Sequence, residues 1–505
     1  MSPQRRPAWT ARLKAWAAPA LFLFYALLLF GGTALFQRGL FERDGYFHAR
    51  LAAMMPTRGL SRAFPWTQLS TWREQFCDKE FLYHLAMAPF ARLGDDPILG
   101  ARIFGVLLSV AVLAAFYAVL RAHRVRFPVF FAALPLATGG LFIARLGMIR
   151  SHVLSMLLLM LGLHFLLERR WRPLLLLGFV YAWSYTVPFV LLLTAAPFAL
   201  GWWAGGGRLD LRPSAAAGLG SVLGLAIHPY SPLTLETFLT YIQVFRLGLQ
   251  GSAASGFELG NELYPYSWPV FFDIYPLLLI LVAGLPIALV LGRKRLAPGT
   301  VGMGAAALFW FGMTAASPRF AEYSALLVCA AWALVARDLG PLLERPGTWI
   351  ARRSVRLAGA GLALAVLAGF HVRSLDFYRV YQTEAAPPRF FTGACAWMAQ
   401  HLPPGETVIN LFWDDFPELF YDGARQTYLW GLDPTYSLRD DPARAKLLER
   451  LRRHDAPLDA QVLKTEFRAR HLVLRANRAG RYPELNLAPF RAVYRDERAV
   501  VFAWE

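Results

Sequence analysis

The sequence has little cysteine and little charge for its length. Only 3 of its 505 residues are Cys, and none forms a Cys-x-x-Cys motif. This argues against a disulfide scaffold and against zinc or redox chemistry. Charged residues make up 17% of the chain, against about 25% in soluble domains. Internal repeats are also absent. Together these features exclude an ordinary soluble enzyme and a disordered chain.

The chain is instead rich in long apolar runs. Hydrophobic residues make up 56% of it and the mean hydropathy is +0.38. About 20 apolar residues are needed to cross a bilayer as a helix. The runs predict an all-α polytopic membrane domain of about eleven transmembrane helices, at residues 18–36, 98–120, 127–144, 152–167, 173–186, 187–204, 214–231, 269–292, 300–316, 320–336 and 357–371.

The net charge of +18 would suggest nucleic acid in a soluble protein, but here the basic residues alternate with the predicted spans. Short basic loops stay in the cytoplasm, so we expect a cytoplasmic N-terminus, an extracytoplasmic C-terminus and no nucleic-acid partner. Twenty basic residues lie on one side: Arg5, Arg6, Arg12, Lys14, Arg121, Arg124, Arg126, Arg169, Arg170, Arg172, Arg208, Arg212, Arg293, Lys294, Arg295, Arg337, Arg345, Arg352, Arg353 and Arg356. The short loops on the other side hold only Arg145, Arg150, Arg246 and Arg319.

Two large segments are expected on the outer face. The first is the loop 37–97 within a membrane domain that spans 1–371, and the second is the tail 372–505. The tail is richer in charges and turns, and its pattern predicts strands at 407–412 and 471–474, a hairpin at 491–504 and a helix at 442–453. It is therefore predicted to be a small extracytoplasmic α/β domain. Cys77 and Cys395 share this side and could pair.

Candidate functional residues are concentrated in the outer segments. Asp44 and His48 lie among aromatic residues at the start of the first loop, and Asp78 and Glu80 follow later in it. The alternative interpretation of each acid is a solvated loop residue, and this alternative is stronger for Asp78 and Glu80.

Three shorter segments carry further candidates. Arg150 and His152 lie at the mouth of the fourth span, Glu262 precedes Pro265, and Arg319 borders an apolar run. The ionisable side chain of Arg319 is costly at the edge of an apolar segment and is a functional candidate by default. The alternatives are a capping histidine and a snorkelling arginine. In the tail, a predicted strand runs into Trp413-Asp414-Asp415, which could equally be a core aromatic followed by a turn cap.

The order of these segments resembles the catalytic subunit of oligosaccharyltransferase in its archaeal and bacterial single-chain forms, which are GT-C glycosyltransferases. Asp44, Tyr46, His48 and Arg50 match an Asp-x-Tyr-x-His-x-Arg motif in the first outer loop. The resemblance implies that Asp44 contacts a catalytic metal and the acceptor. The later matches, in chain order, are Glu262 before a Pro (with Glu258 as the alternative), Arg319-Phe320 for the lipid phosphate, and Trp413-Asp414-Asp415 for the acceptor.

The sequence departs from this family at its second acidic motif. Arg150-Ser151-His152 stands where the family has carboxylates, and Mg²⁺ or Mn²⁺ prefers oxygen ligands. Two alternatives follow. Either Asp78 or Glu80 completes a metal site with Asp44, His152 and Glu262, or the enzyme is metal-independent and Arg150 stabilises the phosphate.

The resemblance implies a glycosyltransferase of a bacterial-type inner membrane. It would transfer a sugar or oligosaccharide from a polyprenyl (pyro)phosphate donor to a periplasmic protein or an envelope glycan or glycolipid. Asp44, His48 and Glu262 would be catalytic, and one carboxylate acting on the acceptor, without a second nucleophile, favours inversion. Two alternatives are a transporter or flippase of lipid-linked sugars and an inactive assembly factor that binds them.

Overall fold

A computed structural model of the chain describes residues 8–40, 42–251, 257–343, 353–385 and 388–505. Four of the basic residues used for the predicted orientation, Arg5, Arg6, Arg345 and Arg352, lie outside these ranges, as does Phe41. The chain divides into two compact units. The helical unit comprises the described parts of Met1–Phe36, Arg102–Gly224 and Tyr264–Gln382, and the mixed unit those of Gln37–Ala101, Leu225–Leu263 and Thr383–Glu505. The domain boundary at residue 371 stays a prediction.

Most of the predicted spans are present as helices. The helices longer than seven residues that overlap the helical unit are Ala8–Phe36, Pro97–Ala122, Ser151–Leu167, Trp171–Ser184, Val190–Ala204, Arg212–Ile227, Pro276–Gly292, Pro298–Ala316, Ala321–Leu343 and Arg353–Ala385. Shorter helices are Pro128–Ala133, Pro135–Thr138, Gly140–Leu146 and Trp268–Ile274, and a 3₁₀ turn spans Pro318–Phe320.

The count of eleven spans is not confirmed. Within the described residues, five helices are long and apolar enough to cross a membrane, or up to seven if each bent pair of helices is one span. The predicted span 127–144 is divided into three short helices. Pro135 and the extended Gly139 (φ 170°) stand at its breaks, because Pro lacks a backbone donor and Gly terminates helices readily. The class itself, a polytopic helical membrane protein, is confirmed.

Small residues let helices approach closely in the helical unit. A Cβ atom on Gly201 would lie 2.8 Å from the carbonyl oxygen of Val301, and one on Gly302 would lie 2.8 Å from that of Phe198. In a membrane the lipid tails are as apolar as the helix surface, so the hydrophobic effect does not drive helices together. Close van der Waals contacts of this kind are then a main source of packing energy. A larger residue at either position would push helices Val190–Ala204 and Pro298–Ala316 apart.

The mixed unit joins three separate stretches of sequence. Its helices are Asp44–Arg58, Trp72–Gln75, Phe81–Met87, Leu233–Gln250, Thr392–His401, Phe416–Asp422, Thr435–Asp440, Pro442–Arg453, Ala460–Phe467 and Ala476–Ala479. Its 3₁₀ turns are Phe90–Arg92, Asn261–Leu263, Trp413–Asp415 and Pro483–Asn486. The predicted helix 442–453 is confirmed, and Asp441 caps it by accepting hydrogen bonds from the backbone N–H groups of Ala443 and Arg444.

The tail contains one five-stranded sheet. Its strands are β1 (Thr407–Asn410), β2 (Thr427–Tyr428), β3 (His471–Arg475), β4 (Arg491–Arg495) and β5 (Ala499–Ala503). Their order is β2-β1-β3-β5-β4, with β1 parallel to both neighbours and β5 antiparallel to β3 and β4. The predicted strands, the hairpin and the α/β class of the tail are confirmed.

Strand residues alternate between two cores, as the twofold period of a strand requires. On β3, Leu472 and Leu474 join one apolar cluster and Val473 joins the other. The cluster around Val473 also contains Phe64 and Trp72 of the first loop. One face of the sheet is therefore covered by chain from the far N-terminal side, so loop and tail share a core.

Backbone contacts extend the sheet into the first loop. Thr67 forms an isolated parallel bridge with Tyr428, whose N–H donates to the Trp66 carbonyl at 2.8 Å. Cys77 and Cys395 lie in the shared core as buried free thiols. The suggested disulfide between these two described residues is therefore wrong.

Candidate functional site

Asp44 is the first residue of helix Asp44–Arg58. Its backbone N–H donates to the Glu42 carboxylate at 3.0 Å, and Asp44 itself is half-buried. A carboxylate is favourable at a helix N-terminus because it faces the positive end of the helix dipole. The predicted catalytic acid is thus held at a fixed position and remains partly accessible.

His48 lies one helical turn after Asp44 and is buried. Its Nδ1 atom is 2.8 Å from Nε2 of His84, and the other ring nitrogen of His84 faces both oxygens of Asp78, at 2.8 and 2.9 Å. All three side chains are at most 5% exposed. The structure therefore joins two predicted residues, His48 and Asp78, through His84, which the sequence did not single out.

Glu80 completes this cluster. Its Oε2 atom is 3.7 Å from Nδ1 of His48, and its backbone N–H donates to Asp78 at 3.1 Å. Burial by itself would lower the pKa of His84, but the charge and hydrogen bonding of Asp78 raise it above its usual value. A local signal was present, because Glu80 and His84 are four residues apart, the spacing that places two side chains on one helix face.

One of the predicted metal ligands, Glu80, lies in a cluster that could hold a metal ion. Within the described residues, the one group of three or more side chains suited to a metal is His48, Glu80 and His84, whose donor atoms all lie within 4.8 Å of one another. One carboxylate with two imidazoles is a poor match for Mg²⁺, which requires near-octahedral oxygen ligands. The roles of Asp44, His152 and Glu262 as ligands stay predictions.

The helical unit brings together the two segments predicted to hold the donor phosphate. Arg145 is 4% exposed and makes a bidentate ion pair with Glu322, at 2.7 and 3.0 Å. Its Nη2 atom also donates to the backbone carbonyl of Arg319 at 3.3 Å, and Nε2 of His152 lies 2.8 Å from the Arg145 carbonyl. Arg145 therefore ties the loop that contains Arg150 to the turn that contains Arg319.

Arg150 and Arg319 are both partly exposed, unlike Arg145. Arg150 is the extended residue before helix Ser151–Leu167, and Arg319 is central in the 3₁₀ turn Pro318–Phe320. Neither Arg145 nor Glu322 was among the residues predicted for the site. The pair is 177 residues apart in sequence, so no local pattern could have found it.

Glu262 lies in the 3₁₀ turn Asn261–Leu263 of the mixed unit and is partly exposed. The alternative, Glu258, is ion-paired to Arg452 at 2.7 Å. The catalytic role of Glu262 stays a prediction.

The acids of the tail motif lie in a charge-balanced network. Asp415 is 1% exposed and contacts Arg475 and, at 3.1 Å, Arg478. Asp414 also contacts Arg478, at 2.8 Å, but 37% of its side chain is exposed. Arg43, the residue before Asp44, lies 3.6 Å from each of the two aspartates and 3.4 Å from Glu418. Three arginines thus oppose three acids.

The network links two predicted regions, the start of helix Asp44–Arg58 and the tail motif. Since buried charges require compensation, the fold by itself accounts for Asp415. Trp413 and Asp414 are partly exposed. Acceptor binding by the motif stays a prediction, and these two accessible residues are its best candidates.

Asp414→Asn is expected to lower the unfolding free energy by at most about 1 kcal/mol, since an exposed ion pair contributes little. Asp415→Asn, the adjacent buried position, is the comparison and is expected to cost more. Thermal unfolding of both purified proteins checks the order. Equal losses would show that the exposure of the two carboxylates does not govern their contribution.

Comparison with known proteins gives matches among solved structures. No protein-family model matches the sequence, and no curated protein does. Among solved structures, the archaeal oligosaccharyltransferase AglB from Archaeoglobus fulgidus, in complex with an inhibitory peptide and a dolichol-phosphate, is similar with a TM-score of 0.63 and 12% identity. The match covers 92% of this chain and 70% of AglB.

Two further structures are similar. ArnT from Cupriavidus metallidurans bound to undecaprenyl phosphate has a TM-score of 0.52 and 16% identity, over 97% of this chain and 98% of ArnT. The mycobacterial arabinofuranosyltransferase AftD has a TM-score of 0.54 and 14% identity, over 96% of this chain and 39% of AftD. The chain therefore has a GT-C glycosyltransferase fold that resembles oligosaccharyltransferase.

Proposed function

We propose that the protein transfers a sugar or oligosaccharide from a polyprenyl (pyro)phosphate donor to an acceptor on the extracytoplasmic face of a bacterial-type inner membrane. The acceptor is a periplasmic protein or an envelope glycan or glycolipid. The observation that carries this proposal is the shared fold, because AglB and ArnT were both solved with a polyprenyl phosphate bound.

The basic residues of the helical unit support a phosphate leaving group. Arg145 is neutralised by Glu322 and joins the two segments. Arg150 and Arg319, on the same segments, are partly exposed. Negative charge grows on the phosphate as the sugar–oxygen bond breaks. Fixed guanidinium groups bind that charge more tightly in the transition state than in the ground state.

The acceptor side of the reaction is assigned to Asp44. A half-buried carboxylate at a helix start can take a proton from the nucleophilic group of the acceptor substrate, or can orient that group. With one such carboxylate and no second nucleophile in the proposal, the reaction is a single displacement with inversion at the anomeric carbon. No step of this mechanism requires a metal ion.

Purified protein incubated with labelled polyprenyl-linked sugar tests the proposal. Release of free polyprenyl (pyro)phosphate, with the label transferred to an acceptor fraction, is expected. In proteoliposomes, movement of the intact donor across the bilayer without bond cleavage would instead identify a transporter. Binding without cleavage or movement would identify an assembly factor, and either result would overturn the transferase assignment.

A further inference from the structure

We propose that His48, Glu80 and His84 form a zinc site in the mixed unit, with Asp78 as the residue that orients His84. This site differs in residues and in ligand chemistry from the oxygen-ligand Mg²⁺ or Mn²⁺ site considered for the transfer reaction. The scarcity of cysteine does not exclude it, because imidazole and carboxylate are sufficient zinc ligands.

The distances suit a tetrahedral ion. Zinc–nitrogen and zinc–oxygen bonds of about 2.0–2.2 Å place the ligand atoms of a tetrahedral site roughly 3.3 Å apart. Nδ1 of His48 is 2.8 Å from Nε2 of His84 and 3.7 Å from Oε2 of Glu80. Shifts of a few tenths of an ångström would bring these two separations to the zinc value, and the donor atoms of Glu80 and His84 lie within 4.8 Å of each other. Three such ligands leave a fourth position for water.

Asp78 supplies what a metal-binding histidine requires. Because Nδ1–H of His84 donates to the Asp78 carboxylate, the lone pair of His84 is placed on Nε2, the atom that faces His48. This carboxylate–histidine pair is the usual outer support of a zinc ligand. Asp78 also accepts the Glu80 backbone N–H, so one side chain orients both His84 and the start of its helix.

Charge favours the same assignment. Asp78 and Glu80 are 4% and 8% exposed, and His48 and His84 are also buried. Two buried carboxylates are costly unless a cation compensates them. A divalent ion bound to the three ligands would neutralise the cluster. A small cleft lined by Met54, Arg58 and Tyr230 reaches Asp78 and gives an ion an approach.

Zinc alone is the probe that tests this site. The full-length protein, purified without a histidine tag and stripped with a chelator, is titrated with Zn²⁺ and its bound metal is counted. One Zn²⁺ per chain is expected, retained against millimolar Mg²⁺. Removing a ligand by His84→Ala or His48→Ala should abolish this binding, and Asp78→Asn should weaken it by about 10–100-fold. His401→Ala, which removes an exposed tail histidine, is the matched control and should bind like wild type.

A second measurement protects the test against misfolded variants. Zinc should raise the Tm of the wild type, and Glu80→Gln, which keeps the shape of its side chain, should lose that increase. Co²⁺ in place of Zn²⁺ should give the visible absorption of a four-coordinate site. Wild-type binding no tighter than that of His84→Ala, or of Glu80→Gln if the former does not fold, would overturn the proposal. The cluster would then be two histidines sharing a proton.

Discussion

The Asp44→Asn protein is expected to lose sugar transfer by about 10²–10⁴-fold, the usual contribution of a positioned acid or base. The amide keeps the size of the side chain but cannot accept a proton from the nucleophile. Binding of the lipid donor should change little, because Asn keeps the size of the side chain and the backbone N–H contact with Glu42 is retained. Transfer is measured as labelled acceptor formed per unit time.

Glu74→Gln is the control for this prediction, since it removes an exposed carboxylate from the same loop. It should leave transfer unchanged. If Asp44→Asn transfers sugar at the wild-type rate, the catalytic carboxylate lies elsewhere, and Glu262 becomes the next residue to substitute.

Glu322→Gln is expected to destabilise the helical unit by about 3–5 kcal/mol, the usual cost of breaking a buried ion pair. The substitution leaves Arg145, which is 4% exposed, without a compensating charge. Because the Arg145 guanidinium also holds the Arg319 carbonyl, the apparent affinity for the donor should fall as well. A drop in Tm in detergent and a higher KM for the lipid donor would measure the two effects.

Two further variants separate charge compensation from general damage. Glu168→Gln alters a half-exposed ion pair with Arg170 and should cost less than about 1 kcal/mol. Replacing Arg145 by Met and Glu322 by Leu together should recover much of the lost stability, since apolar pairs substitute well for buried ion pairs. Failure of the double variant to exceed Glu322→Gln would mean that the charges are not what the fold requires.

Local patterns predicted much of the fold. The apolar runs identified a polytopic helical membrane protein, and the predicted spans 173–186 and 187–204 are separate helices, one ending at Ser184 and the next starting at Val190. The helix at Pro442 was predictable because Asp441 caps it. Such features depend on residues that are close in sequence.

Breaks within the predicted spans and contacts between distant residues were missed. Hydropathy counts apolar residues but does not weigh Pro135 or Tyr275-Pro276, where the predicted spans bend or break. At the candidate site, Asp44 and His48 were found from their motif, whereas His84 was not predicted for the site. The buried pairing of Arg145 with Glu322 required contacts that only a folded chain reveals.

The shared core of loop and tail has a consequence for synthesis. Trp66 donates to the carbonyl of Ala424, 358 positions later, and Thr67 pairs with β2. At roughly 5–20 residues per second, the ribosome needs about 20–70 s to make the intervening chain. During that time Phe64 and Trp72 lack the tail residues that cover them. The first loop therefore cannot complete its core until the tail has been made, and a chain truncated before β1 would leave these aromatics without the tail residues that cover them.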